Sequence, residues 1–137
     1  MKNDVGMQNN RITTPIPEEL NALTEKGIGC AYKVSNGLGS GFLEKVYENA
    51  LSHEISKTGL VVKQQHALKV WYDGALVGEY VADLIVEEKI LVELKALKAL
   101  DEIHQAQCIN YLRATGYRIC LLINFGKPRI EVRRICL

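Results

Sequence analysis

The chain has 137 residues, 47% of them hydrophobic, and a net charge of +1 at neutral pH. That length allows one domain with a modest core, and the composition excludes disorder of the whole chain. The near-neutral charge excludes a coat protein that binds nucleic acid by displacing many counterions. Any such binding must rest on local clusters, a bound cation or a partner.

Residues 1–17 read as a flexible leader closed by Pro15 and Pro17. The leader is rich in Asn, Gln and Thr and lacks the apolar stretch of a signal peptide. No apolar run approaches the ~20 residues that span a bilayer, so a cytoplasmic protein without a membrane partner is expected. Cys30, Cys108, Cys120 and Cys136 are widely spread. They are assigned to packing in a reducing compartment, since they and His53, His66 and His104 offer no paired zinc spacing.

A helical pattern begins at Glu18, with Leu20, Leu23, Ala31 and Val34 near one face. Gly27 and Gly29 inside it suggest close packing, and the run Asn36-Gly37-Leu38-Gly39-Ser40-Gly41 breaks it. A second helix is expected over 42–57, ended by Gly59. Segments 60–72 and 75–86 are rich in Val, Tyr and Trp, and Asp73-Gly74 between them is a strong hairpin signal. A third strand, 90–94, follows the charged turn Glu87-Glu88-Lys89. A helix over 100–115, stopped by Gly116, precedes two strands, 118–125 and 129–135. The order α-α-β-β-β-α-β-β predicts one α/β domain over 18–137, a mixed sheet flanked by helices.

Two acids stand where strands should be apolar. Asp83 shares a strand face with Val81 and Ile85, and Glu93 shares one with Leu91 and Lys95. Such charges are costly unless paired or bound to a cation. A three-residue turn, 87–89, pairs Val86 with Ile90 and sets Asp83 opposite Glu93, whereas a two-residue turn sends them to different faces. Opposed carboxylates repel. A divalent cation would remove the conflict, and oxygen ligands favour Mg²⁺ or Mn²⁺ over zinc. Lys95 would then add a positive charge able to orient a water and stabilise charge building on a phosphate. The plainer alternative is a Glu-Lys pair on an exposed strand with an unrelated Asp nearby.

The order Asp, spacer, Glu-x-Lys, helix resembles the PD-(D/E)XK nuclease superfamily. Gly41-Phe42-Leu43-Glu44-Lys45-Val46-Tyr47 reads Gly-x-x-Glu-x-x-Tyr, similar to the bacterial GxxExxY proteins assigned to that superfamily. The resemblance runs from about Glu18 to the C-terminus and takes in Gln65, Ala82-Asp83-Leu84, Val92-Glu93-Leu94-Lys95-Ala96, His104-x-x-Gln107, Asn110-Tyr111-Leu112 and Leu122-Ile123-Asn124-Phe125-Gly126. It implies a restriction-endonuclease-like core, with Asp83 and Glu93 as metal ligands, Lys95 as the catalytic lysine and the carbonyl of Leu94 as a further ligand. Glu44 matches the superfamily's helical acid, which reaches the metal directly or through water. Ala82 replaces the proline of the superfamily's name, a shaping residue rather than a ligand.

His104, Gln107 and Tyr111 fall within an arc of ~60° on the third helix, placed to hydrogen-bond the carboxylates, the lysine or a phosphate. A half-exposed amphipathic face would give the same pattern. Glu44 and Tyr47 share a face of the second helix, though a first-turn acid also suits the helix dipole. The glycine run lacks the Gly-Lys-Ser/Thr ending of a nucleotide loop. It reads as a tight connection with Ser40 or Gly41 capping the second helix. Trp71 and the remaining tyrosines are assigned to packing. Lys127, Arg129, Arg133 and Arg134 could contact a nucleic-acid backbone, or equally guard a strand edge.

The leading expectation is therefore Mg²⁺- or Mn²⁺-dependent hydrolysis of a DNA or RNA phosphodiester, with Asp83 and Glu93 holding metal, Glu44 assisting and Lys95 at the attacking water. The rivals are a nuclease fold that binds nucleic acid or protein without cutting, and a purely structural scaffold. So small a domain has little surface for reading sequence, which suggests a homodimer or structure-specific recognition.

Overall fold

The structure is a computed structural model that describes residues 15–137. Most of the expected leader lies outside the described residues. The elements are α1 (Glu18–Leu38), α2 (Glu44–Lys57), β1 (Val62–Tyr72), β2 (Ala75–Val86), β3 (Ile90–Lys95), α3 (Glu102–Thr115), β4 (Ile119–Asn124) and β5 (Glu131–Cys136). They follow the order read from the sequence, and one sheet runs β1-β2-β3-β4-β5. Only β3 and β4 are parallel, joined by the crossover helix α3. The other neighbours are antiparallel.

Strand alternation divides the core between two layers. Leu84, Val86, Ile90, Val92, Leu94, Leu121 and Ile123 pack with Leu20, Ala31, Val34, Tyr47, Leu51 and Ile55 of α1 and α2. Ile85, Leu91, Cys120 and Leu122 point the other way, onto Cys108, Tyr111 and Leu112 of α3. In β3 and β4 nearly every residue is therefore buried, as in a central strand covered on both faces. At Gly27 α1 packs against the sheet, since a Cβ there would sit 3.4 Å from Leu121 Cδ1.

Both expected hairpin turns form. Asp73 and Gly74 have φ of 51° and 79°, the pair of left-handed residues that suits a tight hairpin. At the next turn Glu87 and Glu88 adopt φ of 54° and 56° without glycine's freedom. They are held by the Glu87 N–H on Val61 O, by Lys89 N–H on Val86 O, and by the Lys63–Glu88 ion pair. The three-residue turn pairs Val86 with Ile90, Ile85 with Leu91 and Leu84 with Val92. This is the register that sets Asp83 against Glu93.

Three local expectations need correction. The helix α2 starts at Glu44, not at Phe42, with Leu43 rather than Ser40 or Gly41 as N-cap. Trp71 and Tyr72 do not pack: both are exposed, because the β1–β2 ribbon runs well past the end of its pairing with β3. Cys136, on the edge strand β5, is exposed too, whereas Cys30, Cys108 and Cys120 are buried thiols.

Candidate active site at the β2–β3 fork

The ladder between β2 and β3 stops at Leu84 and Val92. At the next rung side chains replace the main-chain partners. The Asp83 N–H donates to Glu93 Oε2 at 3.1 Å, and the Leu94 N–H donates to Asp83 Oδ2 at 2.8 Å. Each carboxylate is thus anchored by the opposite strand. The parity of the 87–89 turn creates this, because one residue fewer would turn the two acids to different faces.

Glu93 is 6% exposed. Burial, then the negative charge of Asp83, pushes its carboxyl up to about 8, against the pull of the Asp83 N–H and the Lys95 ammonium. Burial raises Asp83 as well, with the charge of Glu48 adding to it and the Leu94 N–H and Lys95 opposing. Glu44, on the first turn of α2, is raised by desolvation and by Asp83, and lowered by Lys95. Asp83, Glu93, Glu44 and Lys95 therefore share one field, although they come from β2, β3 and α2. Among the described residues no cationic side chain lies within ion-pairing distance of Asp83 or Glu93, and Glu93 Oε1 accepts no hydrogen bond.

The chemistry of these donors fits a hard divalent cation. A buried and a half-buried carboxylate, both with raised proton affinity and neither ion-paired among the described residues, are what such an ion would compensate. No trio of His, Cys, Asp or Glu side chains forms a ready-made cage among the described residues, so the pair has Glu44, the Leu94 carbonyl or solvent to complete a coordination shell.

Tyr47 explains the Gly-x-x-Glu-x-x-Tyr spacing. Its hydroxyl donates to Gly39 O at 2.6 Å and accepts the Phe42 N–H at 3.1 Å, so it closes the glycine loop over the start of α2. Gly41 has a φ of 111°, which only glycine adopts freely. The Tyr47 ring stacks on Phe125 at 4.7 Å, tying this loop to the end of β4. Glu44, three residues before Tyr47 on the first turn of α2, lies within the field of Asp83 and Lys95.

Beside Lys95 the backbone is clamped by an amide. Asn124 is fully buried, and its Oδ1 accepts the N–H groups of Leu97 at 2.9 Å and Gly126 at 3.0 Å. Its Nδ2 donates to Leu97 O and to Glu131 Oε1, both at 3.0 Å. Gly126 must be glycine here, because a Cβ would meet Leu97 O at 2.2 Å. The run Leu122 to Gly126 thus fixes the chain leaving Lys95.

The other expected residues separate. Tyr111 is buried against Tyr80, ring centroids 5.0 Å apart, and burial followed by the charge of Glu93 lifts its phenol to about 12. Tyr111 therefore faces the site. His104 Nδ1 accepts the Asp101 N–H at 3.2 Å and completes a capping box at the start of α3. Gln107 is exposed. Gln65 approaches Asp83 Oδ1 at 3.5 Å. The basic residues do not form one patch. Arg133 donates to Gln105 of α3, whereas Arg134 reaches Asn21 of α1 on the opposite layer. Lys127 pairs with Glu131, and Arg129 is exposed. Sequence reasoning missed Glu48, 3% exposed and one helical turn after Glu44; an acid in register with Leu51 and Ile55 was the available signal.

A profile of the PD-(D/E)XK nuclease superfamily matches residues 21–135, nearly all of the described chain. The chain belongs to the PD-(D/E)XK nuclease superfamily. No curated protein and no solved structure matched it. Membership assigns a nuclease-type function and a nucleic-acid substrate, and it accords with the α/β arrangement of three helices and a five-stranded mixed sheet seen among the described residues. Members generally use divalent metals. No helix among the described residues is long and apolar enough to cross a membrane.

Proposed function

We propose that this chain hydrolyses phosphodiester bonds of DNA or RNA with Mg²⁺ or Mn²⁺ held by Asp83 and Glu93. The observation that carries the reading is the opposed carboxylate pair at the fork, held by the partner strand's N–H groups with no cationic side chain of the described residues in ion-pairing distance. Glu44 and the Leu94 carbonyl would complete the ligand set. When bound, the ion would lower the pKa of a water and neutralise charge on the phosphate. Lys95, half-buried at the end of β3, would orient the attacking water and stabilise the extra negative charge as the bond forms. Tyr111, with its raised phenol, keeps its proton through neutral pH and would act as a hydrogen-bond donor rather than a base.

Selectivity is assigned to structure-specific recognition or to a homodimer, since one small domain offers little surface for reading sequence. The test incubates labelled single-stranded, duplex and branched DNA and RNA with the protein, with Mg²⁺, Mn²⁺ or chelator. Cleavage is expected to require the cation and to vanish in Asp83→Ala and Lys95→Ala, with circular dichroism unchanged. Cleavage that survives Asp83→Ala would overturn the reading. Wild-type protein that retains the nucleic acid and leaves it intact would turn it towards a non-cleaving binding module.

A further inference from the structure

Gln64 and Gln65 are neighbours in β1, yet both amides end on one carboxylate. Gln64 Nε2 donates to Glu48 Oε2 at 2.7 Å, and Gln65 Nε2 donates to Glu48 Oε1 at 2.7 Å. In a regular strand consecutive side chains leave opposite faces, so a single acceptor cannot take both. The backbone breaks its own rule at Gln65, where φ is 52°. The ladder records the same break: Gln64 pairs with Leu84 and His66 with Ala82, and the rung between them, Gln65 opposite Asp83, is missing. Beyond it the strand face has changed. Ala82 packs in the same layer as Ile85, three residues away, which simple alternation forbids.

A left-handed glutamine inside a strand is strained, and it persists only where its surroundings hold it. Glu48 supplies the hold. It is almost wholly buried, and Lys45 Nζ at 3.0 Å adds a third donor to the two glutamines. The same Gln65 nitrogen lies 3.5 Å from Asp83 Oδ1, while the Leu94 N–H occupies Oδ2. The Asp83 carboxylate thus has a donor on each oxygen, one from β3 and one carried on the strained turn of β1.

We infer that Glu48 and Gln65 are positioning residues: Glu48 locks Gln65 in its left-handed conformation, and the Gln65 amide fixes the rotation of the Asp83 carboxylate opposite Glu93. This rests on the reading of Asp83 and Glu93 as metal ligands. The same link ties α2, which carries Glu44, to the strands that carry the other acids. Outer partners of this kind hold a ligand in its binding orientation, and their loss typically weakens metal affinity 10- to 100-fold.

Gln64 provides the control. It makes the same 2.7 Å bond to Glu48, but no bond to Asp83. Calorimetric titration of Mn²⁺ into the full chain, alongside thermal melts without metal, separates the two roles. Gln64→Ala is expected to lower the melting temperature, and Gln65→Gly to lower it less, since glycine relieves the left-handed strain as the bond is lost. Only Gln65→Gly is expected to weaken Mn²⁺ binding, about tenfold or more, and to lower kcat rather than raise KM. Gln65→Asn tolerates the left-handed backbone but falls one methylene short. It is the second variant, expected to match Gln65→Gly in affinity. If both glutamine variants weaken Mn²⁺ equally, or neither does, the positioning role is overturned. Wild-type binding that is lost in Asp83→Ala but kept in Gln65→Gly overturns this inference alone. No Mn²⁺ affinity in the wild type would overturn the ligand reading and this inference together.

Discussion

At the C-terminal ends of the parallel pair β3 and β4, Glu93 and Asn124 are both sealed from solvent, and their surroundings treat them in opposite ways. Asn124 makes four hydrogen bonds, to Leu97 twice, to Gly126 and to Glu131. Glu93 accepts one, from the Asp83 N–H, and faces another acid. Buried polar groups in folded proteins are almost always satisfied. A complete network rigidifies, while an incomplete one at the carboxyl end of parallel strands marks a place for a ligand. The first cluster holds the backbone beside Lys95, and the second is the pair proposed above to hold the metal.

The largest effect should come from breaking the complete cluster. Asn124→Leu keeps the branched outline of the side chain and removes every one of those bonds, stranding the Leu97 and Gly126 N–H groups. Urea unfolding is expected to show a loss of about 4 kcal/mol, since each stranded buried group costs about 1–3. Glu93→Gln, which removes a buried charge rather than a bonding partner, is expected to leave the metal-free protein at least as stable as wild type at pH 8. Equal losses in the two variants would erase the distinction between a structural and a functional cluster.

How legible this was differed by residue. The Asp83–Glu93 encounter followed from turn parity, because alternation holds from Leu84 to Val92 and 87–89 holds three residues. The element order was legible because the helices are periodic and the strands are bounded by glycine or charged turns. Trp71 and Tyr72 misled, since aromatic residues read as core until the ribbon is seen to outrun β3. Nothing in the sequence beyond the family resemblance marks Gln65. A left-handed residue inside a strand leaves no trace in alternation, and its partner Glu48 lies 17 positions away. Asn124 likewise acts through Leu97, 27 positions distant, a contact that only folding creates.

A smaller effect separates the clusters by pH. Glu93 keeps its proton to about 8 in the folded chain, against 4.5 ordinarily. Between those values the folded state holds a proton that the unfolded chain has released. This contribution is full below about pH 4.5 and is lost as pH rises through 8. Stability should fall by about 1–2 kcal/mol from pH 6 to pH 8, within the ceiling of about 1.4 kcal/mol per unit for one proton. In Glu93→Gln that slope should flatten. Millimolar Mn²⁺ should restore the wild type more at pH 8 than at pH 6, because the cation takes the place of the proton. A wild-type slope unchanged by the substitution would assign the pH dependence elsewhere.

The smallest effect has the opposite sign. Glu131 is held below the usual carboxylate range, first by the Asn124 amide and further by the Leu100 N–H and the charges of Lys127 and Arg133. Its contribution is present above the ordinary value and is lost as pH falls through the depressed one. Glu131→Gln keeps an oxygen for Asn124 and Leu100 but gives up the charge. Its melting temperature at pH 7 should drop only about 2–4 °C, and the gap to wild type should close towards pH 3. The two acids would then bracket neutral pH from opposite sides, Glu131 favouring the fold when ionised and Glu93 when protonated or bound to a cation. A Glu131→Gln deficit that widened in acid would mean that the Asn124 clamp does not depend on that charge, and the two clusters would have to be argued on hydrogen bonds alone.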